Sequence, residues 1–215
     1  MDRTSEKSDS IEPGETRSKS ERQTYRSVKW WSLYKQDIAR YKKHREHASV
    51  LNLCLTEQGL WALLQYRMAS ALYRSSLPIL VKTPLLVLMR VGQKLVEIAA
   101  GITLPYQATI GPGLYIGHYG NIIVSTDAVI GHTCNLSQGV TIGVSGRGQR
   151  RGVPIVGNRV YIAANAVVVG NISIGDDVVI AANSLVITDV AVHTTVMGVP
   201  AQTINTHGSE TYLDT

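Results

Sequence analysis

Six histidines and two cysteines are the side chains best suited to proton transfer, nucleophilic attack or metal binding near neutral pH. His118, His132 and His193 include no close pair, so they do not supply the three-ligand set of a zinc site, and no metal is expected. His132 falls inside a regular repeat, where a corner or interface role suits it better than catalysis. Cys54 and Cys134 cannot build a disulfide framework, which points to a reducing compartment, the cytoplasm. Cys134 reads as a small buried side chain. The segment Gly143–Pro154, GVSGRGQRRGVP, gathers Arg147, Arg150 and Arg151 among glycines. It is either a solvated loop or a flap that contacts an anion. Its G-x-G opens no helix after a strand, so it is not a dinucleotide fingerprint.

Such residues need a scaffold, and the composition says which kind. Hydrophobic residues make up 44% and charged residues 17%, with 19 Gly, 10 Tyr and no Phe. A core without Phe must be filled by Ile, Val, Leu and Ala, which suits a narrow, regular interior. The net charge is +5, but residues 1–50 hold 12 of the 21 basic side chains and 8 of the 16 acidic ones. A nucleic-acid binder carries its basic stripe on the folded part, so no nucleic-acid partner is expected. No apolar run approaches the roughly 18 residues of a membrane span, and no apolar segment near the N-terminus reads as a secretory signal. Residues 1–24 are polar and charged enough to be a disordered leader.

From 25 to 100 the pattern is helical. Trp30, Tyr34, Ile38 and Tyr41 share one face, and Leu60, Leu64, Met68, Ala71 and Leu72 form a second stripe. A third helix is punctuated by Thr83 as cap, Pro84 in the first turn and Gly101 at the end, with Leu85, Leu88, Val91, Leu95 and Ile98 as its buried stripe. After Gly101 a six-residue period begins at Ile110, Ile116 and Ile122. It slips by two and resumes at Val124, Ile130, Leu136 and Ile142. A third run holds from Val156 through Ile162, Val168, Ile174, Ile180 and Val186 to Val192. Six residues supply one short strand and one turn, so three hexads close a triangular coil of stacked parallel strands. The helices can cover one open end and the residues after Gly198 the other. The expected organisation is a leader (1–24), a helical domain (25–100), a β-helix (101–198, loop 143–154) and a tail (199–215).

The run Ile116-Gly117-His118-Tyr119-Gly120-Asn121, the hexads, the Gly-rich insertion, VGNRVYIAANA at 156–166 and HTTVMGVPA at 193–201 resemble the serine O-acetyltransferase family of hexapeptide-repeat acyltransferases. The resemblance covers roughly 30–205, and a polysaccharide O-acetyltransferase branch has similar segments. It implies an α+β fold: an N-terminal α-helical domain followed by a left-handed parallel β-helix with one extended loop. It also implies acetyl transfer from acetyl-CoA, a co-substrate, to a hydroxyl. An alcohol is a poor nucleophile until its proton is taken, and His118, which matches the family's catalytic histidine, is the base expected to take it. Gly143, Arg147, Arg150, Ala164 and Ala182 are the expected coenzyme contacts: small residues for the pantetheine arm, cations for its phosphates.

This sequence also departs from the family. An aspartate precedes the catalytic histidine there, and Gly117 stands here. A second active-site histidine precedes the proline closing the insertion, and Val153 stands before Pro154. Lys42-Lys43-His44-Arg45 lacks the family's acidic-proline segment. Serine presents two charges to be held and a sugar presents neutral hydroxyls, so the expected acceptor is a glycan hydroxyl or L-serine. The resemblance further implies a homotrimer or a dimer of trimers through the N-terminal helices. No stable complex with the sulfhydrylase partner, which reads a C-terminal isoleucine in the family, is expected from the ending Tyr212-Leu213-Asp214-Thr215. A non-catalytic β-helix scaffold is the competing reading.

Overall fold

The structure is a computed structural model and describes residues 28–45, 47–148 and 151–213; the leader 1–24 and Arg150 lie outside these. The described residues begin with four helices: α1 (Trp30–His44), α2 (Val50–Thr56), α3 (Gln58–Arg74) and α4 (Ile79–Ala100). Gly101 ends α4 in the left-handed region at φ 63°, as its punctuation predicts. No helix among the described residues is long and apolar enough to cross a membrane.

The chain then winds in short strands. The first coil holds β1 (Ile102–Thr103), β2 (Thr109–Ile110) and β3 (Tyr115–Ile116). The second holds β4 (Ile122–Val124), β5 (Val129–Ile130) and β6 (Asn135–Leu136). The third holds β7 (Thr141–Gly143), β8 (Ile155–Val156) and β9 (Tyr161–Ile162), and the fourth β10 (Val167–Val169), β11 (Ser173–Ile174) and β12 (Val179–Ile180). An incomplete coil follows with β13 (Leu185–Val186) and β14 (Thr195–Gly198), then β15 (Ala201–Asn205) and a short α5 (Glu210–Leu213). Strands β1, β4, β7, β10 and β13 stack in parallel as a first face, β2, β5, β8 and β11 as a second, and β3, β6, β9, β12 and β14 as a third. Strand β15 adds antiparallel to β14.

The hexad positions point inward. Ile110, Ile116, Ile122, Val124, Ile130, Leu136, Ile142, Val156, Ile162, Val168, Ile174, Ile180 and Val186 are all at most 2% exposed. Val192 is a correction: it is 57% exposed, and Val190 takes the inward place by bridging to Ile174. The cause is a second slip of two, visible where Ile180 pairs with Val196. It carries Val192 onto a corner column in which a Cβ on Gly131 or Gly157 would come within 2.5 and 2.7 Å of the carbonyl oxygen of the next coil. Two edges of the prism turn through left-handed residues. Asn121, Asn165 and Asn183 lie on the edge between the third and first faces, and Thr133, Arg159, Asp177 and His193 on that between the second and third. Asn tolerates this conformation better than most side chains.

The first coil leaves strand edges open, and an open edge is a row of unpaired N–H and C=O groups. Side chains of α1 and α3 pair them. Buried Tyr41 Oη donates to the Ile116 carbonyl at 3.0 Å and accepts from the Ile116 N–H at 3.0 Å. Tyr66 Oη donates to the Ala108 carbonyl at 2.9 Å and accepts from the Ile110 N–H at 3.0 Å. Arg67 donates to the carbonyls of Ile110 and Gly111 at 2.6 and 2.7 Å, while Asp37 Oδ1 accepts from the N–H groups of Gly113 and Leu114 at 2.8 and 3.2 Å. Arg67 and Asp37 join each other at 2.9 and 3.0 Å, both buried. Burial pushes the Asp37 carboxyl up, against the pull of Arg67 and the two backbone N–H groups.

Three helical expectations are corrected. The buried face of α3 is Leu60, Leu63, Tyr66, Arg67 and Ser70, because these reach the first coil; Leu64 and Met68 are exposed. Helix α4 begins after Pro78, so Thr83 is not its cap and Pro84 lies inside it. Its stripe Leu85, Leu88, Val91, Leu95 and Ile98 is 38%, 60%, 52%, 63% and 82% exposed. The helix turns its other side, Leu86, Met89, Gln93 and Val96, toward α3, where Gln65 Nε2 donates to the Met89 carbonyl at 2.7 Å.

Candidate functional site

The turn 117–121 joins β3 to β4 across the edge between the third and first faces. It is longer than its counterparts. Ile116 pairs with Leu136 below it and Val124 pairs with Ile142, so eight residues do here what six do in the next coil. This is the first slip in the hexads. Extra chain that cannot pack must bulge, and His118 and Tyr119 are exposed on the bulge. His118 has no hydrogen-bond or ionic partner among the described residues.

Below the bulge, the same edge carries Gln138, Ala164 and Ala182 in successive coils. The Gly139 N–H donates to the Gly120 carbonyl, the Asn165 N–H to Gln138 and the Asn183 N–H to Ala164, each at 2.9 Å. His118, Ala164 and Ala182 therefore share one edge of the prism, spread over about 14 Å at the usual spacing of strands. Ala164 is half-buried and Ala182 exposed, so neither side chain blocks an extended ligand laid along the edge. Gly143 and Arg147 are not brought to it. Gly143 ends β7, and the insertion leaves there, at the edge between the first and second faces, with Arg147 exposed upon it.

Tyr115 was not singled out in the sequence, although its place two residues before Gly117 puts it on the outer side of the strand. A Cβ on Gly117 would meet the Tyr115 ring at 3.0 Å, so the ring lies over the position from which an acidic side chain would leave the backbone. The His44 ring of α1 packs tilted against the same Tyr115 ring, with centroids 4.2 Å apart, and Tyr41 lies 4.7 Å away. Burial, then Glu57, pushes the Tyr115 hydroxyl up, keeping it a neutral phenol. Val153 packs half-buried against the core.

A groove of about 810 Å³ covers the outer side of the third face. It runs from Tyr161 and Thr195 to Ala182, and its far wall is the chain after β15, including His207 and Tyr212. That segment is tied back along the prism: the Ser209 N–H donates to the Asp177 carbonyl at 3.0 Å, Tyr212 stacks on Tyr161 at 5.0 Å, and Arg40 of α1 donates to the Leu213 carbonyl at 3.4 Å. His193 stands on the left-handed corner of this groove, 3.5 Å from both Asp177 and Glu210. Asp177 forms two hydrogen bonds with Arg159, each 2.6 Å, which raises the affinity of that guanidinium for its proton. His132 is a corner residue, with Nδ1 3.0 Å from Thr133 Oγ1. Cys134 is buried and its thiol donates to the Gly157 carbonyl. No group of three His, Cys, Asp or Glu side chains that could hold a metal occurs among the described residues.

Residues 154–188 match the family described as bacterial transferase hexapeptide (six repeats). The chain is 34% identical over 158 residues to the serine acetyltransferase of Synechococcus elongatus, a match that takes in 74% of this chain and 62% of that protein. It is 36% identical over 146 residues to the serine acetyltransferase of Helicobacter pylori, covering 68% of this chain and 81% of that one. A solved serine acetyltransferase in complex with CoA superposes with a TM-score of 0.69 at 26% identity, over 86% of this chain and 73% of that one. The chain thus spans less than two thirds of the length of the Synechococcus protein. The fold they share is a helical layer followed by a left-handed parallel β-helix.

Proposed function

Because the chain belongs to the serine acetyltransferase family of hexapeptide-repeat transferases, we propose that it moves an acetyl group from acetyl-CoA to a hydroxyl, with His118 as general base and L-serine as the first acceptor to test. The observation that carries this reading is the bulged turn, which holds an exposed imidazole, without a partner among the described residues, on the same edge as Ala164 and Ala182. The imidazole takes the hydroxyl proton as the oxygen attacks the thioester carbonyl. The tetrahedral oxyanion collapses, the carbon–sulfur bond breaks, and the imidazolium returns the proton to the departing thiolate. No metal and no covalent enzyme intermediate enters.

Ala164 and Ala182 would flank the pantetheine arm, and Gly143, Arg147 and Arg150 would meet the coenzyme from the insertion. Within one chain Gly143 and Arg147 sit on a different edge from Ala164 and Ala182, which supports a homotrimer: the insertion of one prism reaches the His118 edge of its neighbour. The first face is suited to such packing, since its outward residues include Ile123 and Ile187, about half exposed, with Val167, Val169 and Leu185. The exposed stripe of α4 supports pairing of trimers through the helices. A cytoplasmic location belongs to the same reading and fits the two free cysteines.

A second acceptor reading, a glycosyl hydroxyl, rests on one observation: the Tyr115 ring occupies the space beside Gly117 where the family places a carboxylate. The names of the relatives favour serine; the site's lack of that acid favours a neutral acceptor. Thiol release from acetyl-CoA tests the reaction, and His118→Ala is expected to lower kcat by about 10²–10⁴ with the fold kept. Near-normal turnover in the folded variant removes His118 from its role. kcat/KM for L-serine beside a panel of nucleotide sugars decides the acceptor.

A further inference from the structure

A groove of about 340 Å³ opens at the N-terminus of α1, away from the His118 edge. Its walls include Lys29, Trp30, Trp31, Ser70 and Arg74. Three observations there converge. Helix α1 begins uncapped: Lys29 makes no side-chain capping bond, and the first turn holds no acidic residue. The Ser32 and Leu33 N–H groups turn back to the Lys29 carbonyl, while those of Trp30 and Trp31 have no partner among the described residues. A bare helix N-terminus presents N–H donors and the positive end of the helix dipole, the arrangement that holds anions.

Second, Ser70 is 4% exposed, lines the groove, and its Oγ has no hydrogen-bond partner among the described residues. A serine inside a helix ordinarily bonds a carbonyl one turn back or faces water; this one does neither. A buried hydroxyl left unpaired is destabilising unless something else supplies its partner. Third, among the described residues the lining holds three cationic side chains and no acid. Arg67 is committed to Asp37 and to two carbonyls, whereas among the described residues Arg74 makes one hydrogen bond, from Nη2 to the Ala108 carbonyl, leaving further donors on its guanidinium. The surroundings agree, because residues 28–100 contain 11 Lys and Arg against 4 Asp and Glu. Trp30 and Trp31 add flat apolar walls.

We propose that this groove binds a small molecule bearing a carboxylate or phosphate on a flat apolar body. The oxyanion is held by the N-terminus of α1, Ser70 Oγ and Arg74, with the body against Trp30. The site does not depend on the acetyl-transfer reading.

The experiment titrates the full chain with benzoate, phenyl phosphate and inorganic phosphate, followed by calorimetry and by tryptophan fluorescence, since Trp30 and Trp31 report directly. Saturable binding of benzoate or phenyl phosphate is expected, and whichever binds tighter identifies the head group. Ser70→Ala and Arg74→Gln are each expected to weaken it about tenfold, the loss of one hydrogen bond to a charged group. Ser70→Ala removes an unpaired hydroxyl, so it keeps the fold and tests the site even if Arg74→Gln, which also loses the Ala108 contact, does not fold. His118→Ala binds the probe as the unaltered protein does. Binding that neither variant weakens overturns the proposal. So does the absence of saturable binding by either aromatic probe.

Discussion

The β-helix and the helical layer are each about half apolar in sequence, yet the inward side of one is legible in the chain and that of the other is not. In a coil, each short strand has only two sides, and the prism fixes which side is inside. Ile130, Val156 and Ile174 are inward because neighbouring coils pair them directly. A helix such as α4 is apolar on most of its surface, and only its neighbours decide which arc is covered. Its Leu86–Val96 side meets α3, and the stripe from Leu85 to Ile98 faces outward. Periodicity therefore identifies the element in both cases and the buried residues only where the partner is another copy of the same repeat.

The junction between the two regions is the place to break this contrast hardest. Arg67→Met leaves the Asp37 carboxylate buried without its partner and uncovers the carbonyls of Ile110 and Gly111. The expected loss is about 3–5 kcal/mol, measured by urea unfolding at fixed protein concentration. A loss below about 1 kcal/mol would show that the cap is not what closes the first coil. Within the solenoid, Ile162→Ala, at a fully buried hexad position, is expected to lower stability by about 2–4 kcal/mol.

The site shows the same division between local and distant causes. The bulge that exposes His118 is written in the sequence as a two-residue slip, because register is a local property of stacked coils. The Tyr115 ring over Gly117, and His44 against it, depend on α1 lying across the first coil, which no spacing within 101–198 reports. Asp37 and Arg67 were invisible for that reason too: they lie 30 residues apart on different helices, and each looks like an ordinary surface charge until both are placed over open strand ends. The segment 206–213, tied to Asp177, Tyr161 and Arg40, has no repeat to announce it.

A smaller effect sharpens the comparison inside the solenoid itself. An unbroken period of six puts Val192 at the inward hexad position, and the structure puts Val190 there instead, with Val192 57% and Val190 8% exposed. Val190→Ala is then expected to lower stability by about 1–2 kcal/mol and Val192→Ala by less than about 0.5 kcal/mol. Equal losses in the same urea titrations would mean that the final coil keeps the period of the others.

The smallest expected change within the chain concerns the stripe of α4. Leu88 and Leu95 touch little of their own chain, being 60% and 63% exposed. Replacing both by Gln removes apolar surface from water contact and leaves the α3 side intact, so each is expected to alter intrinsic stability by less than about 0.5 kcal/mol. Their effect belongs to assembly. If trimers pair through this stripe, the double variant sediments as a smaller species at concentrations where the unaltered protein is larger, and its unfolding midpoint depends less on protein concentration. The two readouts separate the possible partners of the stripe. Loss of size without loss of low-concentration stability identifies a second copy as what covers it. Loss of about 2 kcal/mol or more per side chain at every concentration identifies cover from the chain itself, and the helical layer would then be as self-contained as the solenoid.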